Sequence, residues 1–90
     1  MPTLRVPTLL KYYLNDQLEV AVSGQTVAET LADLARQFPA IQTHLFDNSG
    51  KVRRHVNLFV NADNIRDLNG LETAVGEKDV VKVCVAKDVE

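Results

Sequence analysis

Between Arg53 and Asn61 the chain reads Arg53-Arg54-His55-Val56-Asn57-Leu58-Phe59-Val60-Asn61, and Val56, Leu58 and Val60 alternate with Asn57, Phe59 and Asn61. A period of two is that of a half-buried strand, whose successive side chains point to opposite faces. Charge precedes the run, and Ala62-Asp63-Asn64 then Ile65-Arg66 follow it. A strand of this kind lies in a sheet with one face on a core. The rest of the chain is expected to pair with it or to cover it.

At 90 residues the chain is expected to be a single domain, 1–90. A chain of this size buries roughly 60% of its unfolded surface, enough for one modest core. The net charge of −2 argues against a general nucleic-acid or membrane binder, which carries a basic excess. No apolar run approaches the roughly 18 residues that span a bilayer. Met1-Pro2-Thr3-Leu4-Arg5 lacks the apolar segment of a signal peptide. Cys84 is the only cysteine, so no internal disulfide is available, and a reducing cytoplasm is the simplest compartment.

Thr3 to Val6 alternates and stops at Pro7, which has no N–H for a ladder. In residues 7–17 the apolar positions Leu9, Leu10, Tyr12, Tyr13 and Leu14 fit neither period, so extended chain or loop is expected, with a turn at Asn15-Asp16. Leu18 to Ser23 alternates again and should pair antiparallel with the first strand as a wide hairpin. Thr26 and Glu29 form a capping box, in which the hydroxyl takes an orphan N–H and the glutamate reaches back. Val27, Leu31, Leu34, Ala35 and Phe38 then recur at helical spacing until Pro39 ends the helix.

A short helical turn is expected over residues 41–46, with Ile41, Leu45 and Phe46 inward. Asp47-Asn48-Ser49-Gly50 and Asp63-Asn64 read as turns. Leu68, Leu71 and Val75 are small apolar anchors in a long connection. Glu77-Lys78-Asp79 is a charged turn, and residues 80–86 are the last strand, placed centrally by its nearly continuous valines. One helix must cover the apolar face of one sheet, because neither buries its stripe alone. The expected class is α+β: a mixed four- to five-stranded sheet under one main helix, with room for a small extra strand near Ile65-Arg66. The expected inner set is Leu4, Val6, Leu18, Val20, Val22, Val27, Leu31, Leu34, Phe38, Val56, Leu58, Val60, Val81, Val83 and Val85.

This order with a single covering helix is a β-grasp, the ubiquitin-like fold. The residues themselves resemble a family. Arg54 to Asn61 with Ile65-Arg66, the segment Gly70 to Val81, and the proline-containing start Val6-Pro7-Thr8-Leu9-Leu10 are similar to the ubiquitin-like sulfur carriers of the MoaD/ThiS group. The likeness is greatest to carriers that supply sulfur for cysteine synthesis, and it spans essentially the full chain.

The resemblance implies a protein co-substrate rather than an enzyme. Its tail, ending in Gly-Gly, would be adenylated by an ATP-dependent activating enzyme and converted to a thiocarboxylate. A sulfur-accepting enzyme in cysteine or cofactor synthesis, such as that of molybdopterin, would then take the sulfur. Glycine suits such a tail because a backbone without Cβ threads a narrow channel. Here the diglycine positions are Val89 and Glu90. Valine is stiff at χ1, and glutamate adds bulk and a second carboxylate, so both should obstruct that channel. The usual proline-containing tail is replaced by Ala86-Lys87-Asp88. Three readings stay open: the natural chain continues beyond Glu90 into a diglycine, the protein is a divergent member that binds without transferring sulfur, or the tail has been altered.

Alternation predicts an outer sheet face carrying Arg5, Glu19, Asn57, Phe59, Lys82 and Cys84. Phe59, with Asn57, Arg5 and Lys82, is the expected partner-binding set, since an aromatic ring on the solvent face of a sheet suits a protein contact. The competing reading packs Phe59 locally against Cys84 or the stem of Lys82. In relatives this face docks the activating and accepting enzymes, which the resemblance extends to Phe59. Cys84 reads as a half-buried strand residue; a persulfide there would need a lowered pKa, for which only Lys82 is at hand. His44 and His55 are too isolated to suggest a metal site, and no metal or cofactor is expected. The cluster Lys51, Arg53, Arg54 and His55 reads as a solvated strand start, with an acidic partner as the alternative. The chain has no Gly-rich phosphate loop and no nucleophile–base pair. A different class of function, an interaction module that uses the sheet face without tail chemistry, stands as the alternative to the carrier.

Overall fold

In a computed structural model, which describes residues 1–85, five strands form one mixed sheet. In chain order the elements are β1 (Thr3–Arg5), α1 (Thr8–Lys11), β2 (Glu19–Ala21), α2 (Val27–Gln37), α3 (Gln42–Leu45), β3 (Val56–Val60), β4 (Asp63–Asn64) and β5 (Val80–Val85). Short 3₁₀ turns at Tyr12–Leu14, Pro39–Ile41, Ile65–Asp67 and Gly70–Glu72 fill the connections. The strand order is β2-β1-β5-β3-β4. β1 and β5 are parallel, and every other pair is antiparallel. The chain has the β-grasp architecture, with β5 at the centre as its valine run implied.

The capping box forms, in a slightly shifted version. Glu29 N–H donates to Thr26 Oγ1 at 3.2 Å, and Gln25 N–H donates to Glu29 Oε1 at 2.8 Å, so the glutamate reaches one residue further back than the usual box. Val27, Leu31 and Leu34 are buried against the sheet. Each fully buried side chain of this kind contributes about 1.5–3 kcal/mol. Gly24 turns the chain from β2 into α2 at φ +151°, and a Cβ there would lie 2.7 Å from Thr30 N. Gly24 is thus fixed both by its dihedral and by the helix backbone against it.

Residues 7–17 are not a loop. α1 and the 3₁₀ turn after it bury only Leu10 and Leu14, four residues apart, and expose Leu9 and Tyr12. A short α turn running into a 3₁₀ turn keeps neither period for long, which is why the pattern was mixed. The expected turn does follow, with Asn15 and Asp16 both at positive φ.

Leu18 was expected inside but is 40% exposed. It precedes the first β1–β2 pair, Arg5↔Glu19, and only its backbone is held, by Val6 N–H to Leu18 C=O at 2.9 Å. Phe38 and Val85 are partly buried at the edge of the core. Leu68 is exposed, while Ile65, Val75 and partly Leu71 anchor the long connection.

The turn after β3 falls at Asn61-Ala62, where Asn61 takes φ 57°. Asp63–Asn64, expected to be that turn, is instead the small strand β4. Ile65 and Arg66, where the extra strand was expected, lie in a 3₁₀ turn. An Asn in the left-handed region closes a tight hairpin without strain, so the strand after it begins two residues earlier than the Asp-Asn pair suggested.

Candidate partner-binding face

The side chains of the outer face are placed by register. Glu19 pairs with Arg5, Arg5 with Lys82, Lys82 with Phe59, and Phe59 with Asn64. One row therefore crosses all five strands, Glu19–Arg5–Lys82–Phe59–Asn64. Directly opposed residues in such rows have Cβ atoms about 4.5–5.5 Å apart. Asn57 and Cys84 form the next pair of the same face. The four residues expected to meet a partner, Phe59, Asn57, Arg5 and Lys82, thus share one surface. Phe59 is half-buried beside Lys82, so part of its ring is covered and part is presented.

Charge is graded along this row. Arg5 Nε pairs with Glu19 Oε2 at 3.1 Å, with both side chains about half exposed, so the pair contributes little to stability. Lys82 is exposed and makes no ion pair among the described residues. It is left as a cation between Arg5 and the aromatic ring. β5 ends at Val85, and three residues of strand place that end about 10 Å from Lys82. The face therefore leads toward the point where the chain runs on to residues 86–90. The expected tail positions Val89 and Glu90 lie outside the described residues.

On the side of the row away from Val85, the strand ends are held by the loops. Asn61 Nδ2 donates to Asp79 Oδ1 at 3.1 Å, Val80 N–H donates to Asn61 Oδ1 at 3.1 Å, and Gly76 N–H donates to Asp79 Oδ2 at 2.8 Å. Asp79 C=O accepts from Thr3 N–H at 3.2 Å. These bonds tie the end of β3 to the starts of β5 and β1. The Gly76 amide, and then the Asn61 amide, hold the Asp79 carboxyl below its usual range.

The sequence did not reveal a second feature, at the end of β5. Leu9, Leu10, Tyr13, His44, His55 and Val85 line one groove. The Tyr13 and His44 rings stack with centroids 4.1 Å apart and a 30° tilt. The two histidines, distant in sequence, line the same groove, and His44 on α3 lies against Tyr13 of the 3₁₀ turn that follows α1. Among the described residues no group of three or more His, Cys, Asp or Glu side chains is arranged to hold a metal. Leu9 and Tyr12 beside the groove are 71% and 79% exposed. Their only signal in the sequence was a stretch that fitted neither period. Cys84 is a free, half-buried thiol on the outer face. No helix of the described residues is long and apolar enough to cross a membrane.

A sheet of this order, under one main helix and with a polar outer face leading to a C-terminal strand, defines a ubiquitin-like β-grasp protein. The ThiS family model matches residues 4–85, and the chain belongs to that family. The chain is 35% identical over 86 residues to the sulfur carrier protein CysO of Mycobacterium tuberculosis, covering 93% of this chain and 92% of that one. The crystal structure of Mycobacterium tuberculosis CysO superposes with a TM-score of 0.87 at 34% identity, over 96% of this chain and 99% of the other. A chain of the Amycolatopsis orientalis BexX/CysO complex superposes with a TM-score of 0.89 at 27% identity over the full length of both. The small archaeal modifier protein SAMP1 of Methanosarcina acetivorans shares the fold, with a TM-score of 0.85 at 23% identity over 98% of this chain and 94% of that one.

Proposed function

We propose that this chain is a sulfur carrier in cysteine or cofactor synthesis, acting as a protein co-substrate and not as an enzyme. The observation that carries the reading is its end-to-end likeness, at 35% identity, to a protein named as a sulfur carrier. In the proposed cycle an ATP-dependent activating enzyme joins a C-terminal carboxylate oxygen to the α-phosphorus of ATP and expels pyrophosphate. A sulfur nucleophile then attacks the acyl carbon and AMP leaves. One carboxylate oxygen has been exchanged for sulfur, and a sulfur-accepting enzyme draws on that thiocarboxylate. The carrier supplies no acid, base or metal to these steps. It supplies recognition, through Phe59, Lys82, Arg5 and Asn57, and a tail that reaches another protein's active site. The Amycolatopsis orientalis chain comes from a complex with a partner protein, which supports a docking role for one of its faces. A cytoplasmic location belongs to the same reading.

For a chain whose last two residues are Val89 and Glu90, in place of the two glycines that this chemistry calls for, the second reading is a binding module that keeps the face and has no tail chemistry. Pyrophosphate release separates the two. With the cognate activating enzyme and ATP, a Val89→Gly/Glu90→Gly chain should support release, and adding Phe59→Ala should weaken it. Absence of release from the diglycine chain, together with partner binding that survives deletion of residues 87–90, would favour the module.

A further inference from the structure

We propose that a groove along the outer edge of β3 is a second docking site, for an acidic segment of a partner protein that carries one apolar anchor. The groove is open, about 280 Å³ in volume; it borders the Phe59 row through Asn57 and Asn64 and shares no lining residue with the groove at the β5 end. Val52, Val56, Leu58, Ile65 and Leu71 supply its apolar lining, and Arg53, Arg54 and Arg66 supply its charge among the described residues. Among the described residues no carboxylate lines it, although the chain as a whole carries a net charge of −2. The ion pairs of the described residues, Arg5–Glu19 and Arg36–Asp33, lie elsewhere. Arg53 is partly committed, since its Nε donates to the Thr43 carbonyl at 2.8 Å. Arg54 and Arg66 are exposed and have no ion-pair partner among the described residues.

The backbone adds a second argument. β4 covers β3 only at Phe59 and Val60. Asn61 N–H donates to Val80 C=O at 2.8 Å, so residues 57, 59 and 61 bond inward to β5, and residues 56, 58 and 60 turn their polar groups to the other edge. Val60 meets β4 there, whereas Val56 and Leu58 border the groove; the Val56 N–H is already taken by Arg53 C=O at 3.0 Å. An extended segment laid along this edge would place carboxylates against Arg54 and Arg66 and one aliphatic or aromatic side chain on the apolar lining. Guanidinium groups suit carboxylates because they bind them through two parallel N–H donors. A strand edge beside an apolar pocket suits an extended peptide.

The test is selection of binders to the full chain from a displayed library of random peptides, followed by backbone-amide NMR titration with the selected peptides. The proposal expects enriched sequences in which carboxylates flank an apolar residue, and shifts concentrated at residues 52–58 and 65–71. Arg54→Glu/Arg66→Glu should weaken binding about tenfold or more, and Arg54→Gln/Arg66→Gln by less, with amide dispersion retained in both. Arg36→Glu, a charge change elsewhere on the surface, should leave affinity within about twofold. Failure to enrich acidic sequences, shifts confined to the Phe59 face, or affinity indifferent to both arginine variants would overturn it. So would a short single-stranded oligonucleotide that bound the groove more tightly than the selected peptides.

Discussion

Phe59 on β3 stands directly opposite Lys82 on β5, and Lys82 stands opposite Arg5 on β1. This half-covered aromatic ring beside two basic side chains is the geometry on which the proposed partner contact rests, because such a ring can lose its remaining water at low entropic cost. Phe59→Ala should lower stability by only about 1 kcal/mol, since part of the ring is already solvated. It should weaken binding of the activating enzyme by about tenfold or more. Calorimetric titration alongside thermal unfolding checks both. A folded variant that binds as tightly as the parent would remove Phe59 from the interface.

Asn61 and Asp79 join the end of β3 to the start of β5, away from Val85. Asp79→Ala frees the Gly76 N–H and the Asn61 amide together. The expected cost is about 1–2 kcal/mol. The folded-state pKa of Asp79 is lowered, so its contribution is fully present above the unfolded pKa, about 4, and is lost as pH falls through the lower folded value. Asp33, held chiefly by the Ser23 amide, and Asp47, held chiefly by the Ser49 hydroxyl, shift in the same direction. The parent should therefore lose stability on acidification, and its advantage over Asp79→Ala should shrink below about pH 4. Thermal midpoints of both proteins across that range measure the effect; a constant gap would show that the carboxylate charge plays no part.

Gly24→Ala should be among the most damaging single-methyl additions in the chain. The new Cβ would meet Thr30 N at 2.7 Å, and the φ of +151° disfavours any L side chain. A loss of about 1–3 kcal/mol is expected, read as a lower urea midpoint with an unchanged slope. A midpoint within error of the parent would mean that the β2–α2 junction relaxes freely.

The parts of the fold that could be read in advance are those with a short-range physical signature. The alternation of Val56, Leu58 and Val60, and the Thr26–Glu29 cap before a helical stripe, are local, and both survive in the structure. Alternation also fixed the face of Arg5, Asn57, Phe59 and Lys82, since parity needs no knowledge of neighbours. The row that joins Arg5, Lys82 and Phe59 was not legible. It depends on the β1–β5 register between the two ends of the chain. Leu18 misled because its parity is right while its position is one residue short of the sheet. The groove that His44 and His55 share with Val85 is also lined by Leu9, Leu10 and Tyr13, and residues 7–17 gave no consistent period from which to read it.

The central claim is that this is a carrier whose tail is chemically activated, and intact-mass spectrometry tests it most directly. The chain is incubated with the cognate activating enzyme, ATP and a hydrosulfide source, in parallel as the form ending at Glu90 and as Val89→Gly/Glu90→Gly. The account predicts that the diglycine form gains the mass of one oxygen exchanged for one sulfur, and that the form ending at Val89-Glu90 stays unchanged. A diglycine form that is never converted, although it folds and binds the enzyme, would contradict the carrier assignment. Conversion of the form ending at Glu90 would contradict the obstruction assigned to those two residues.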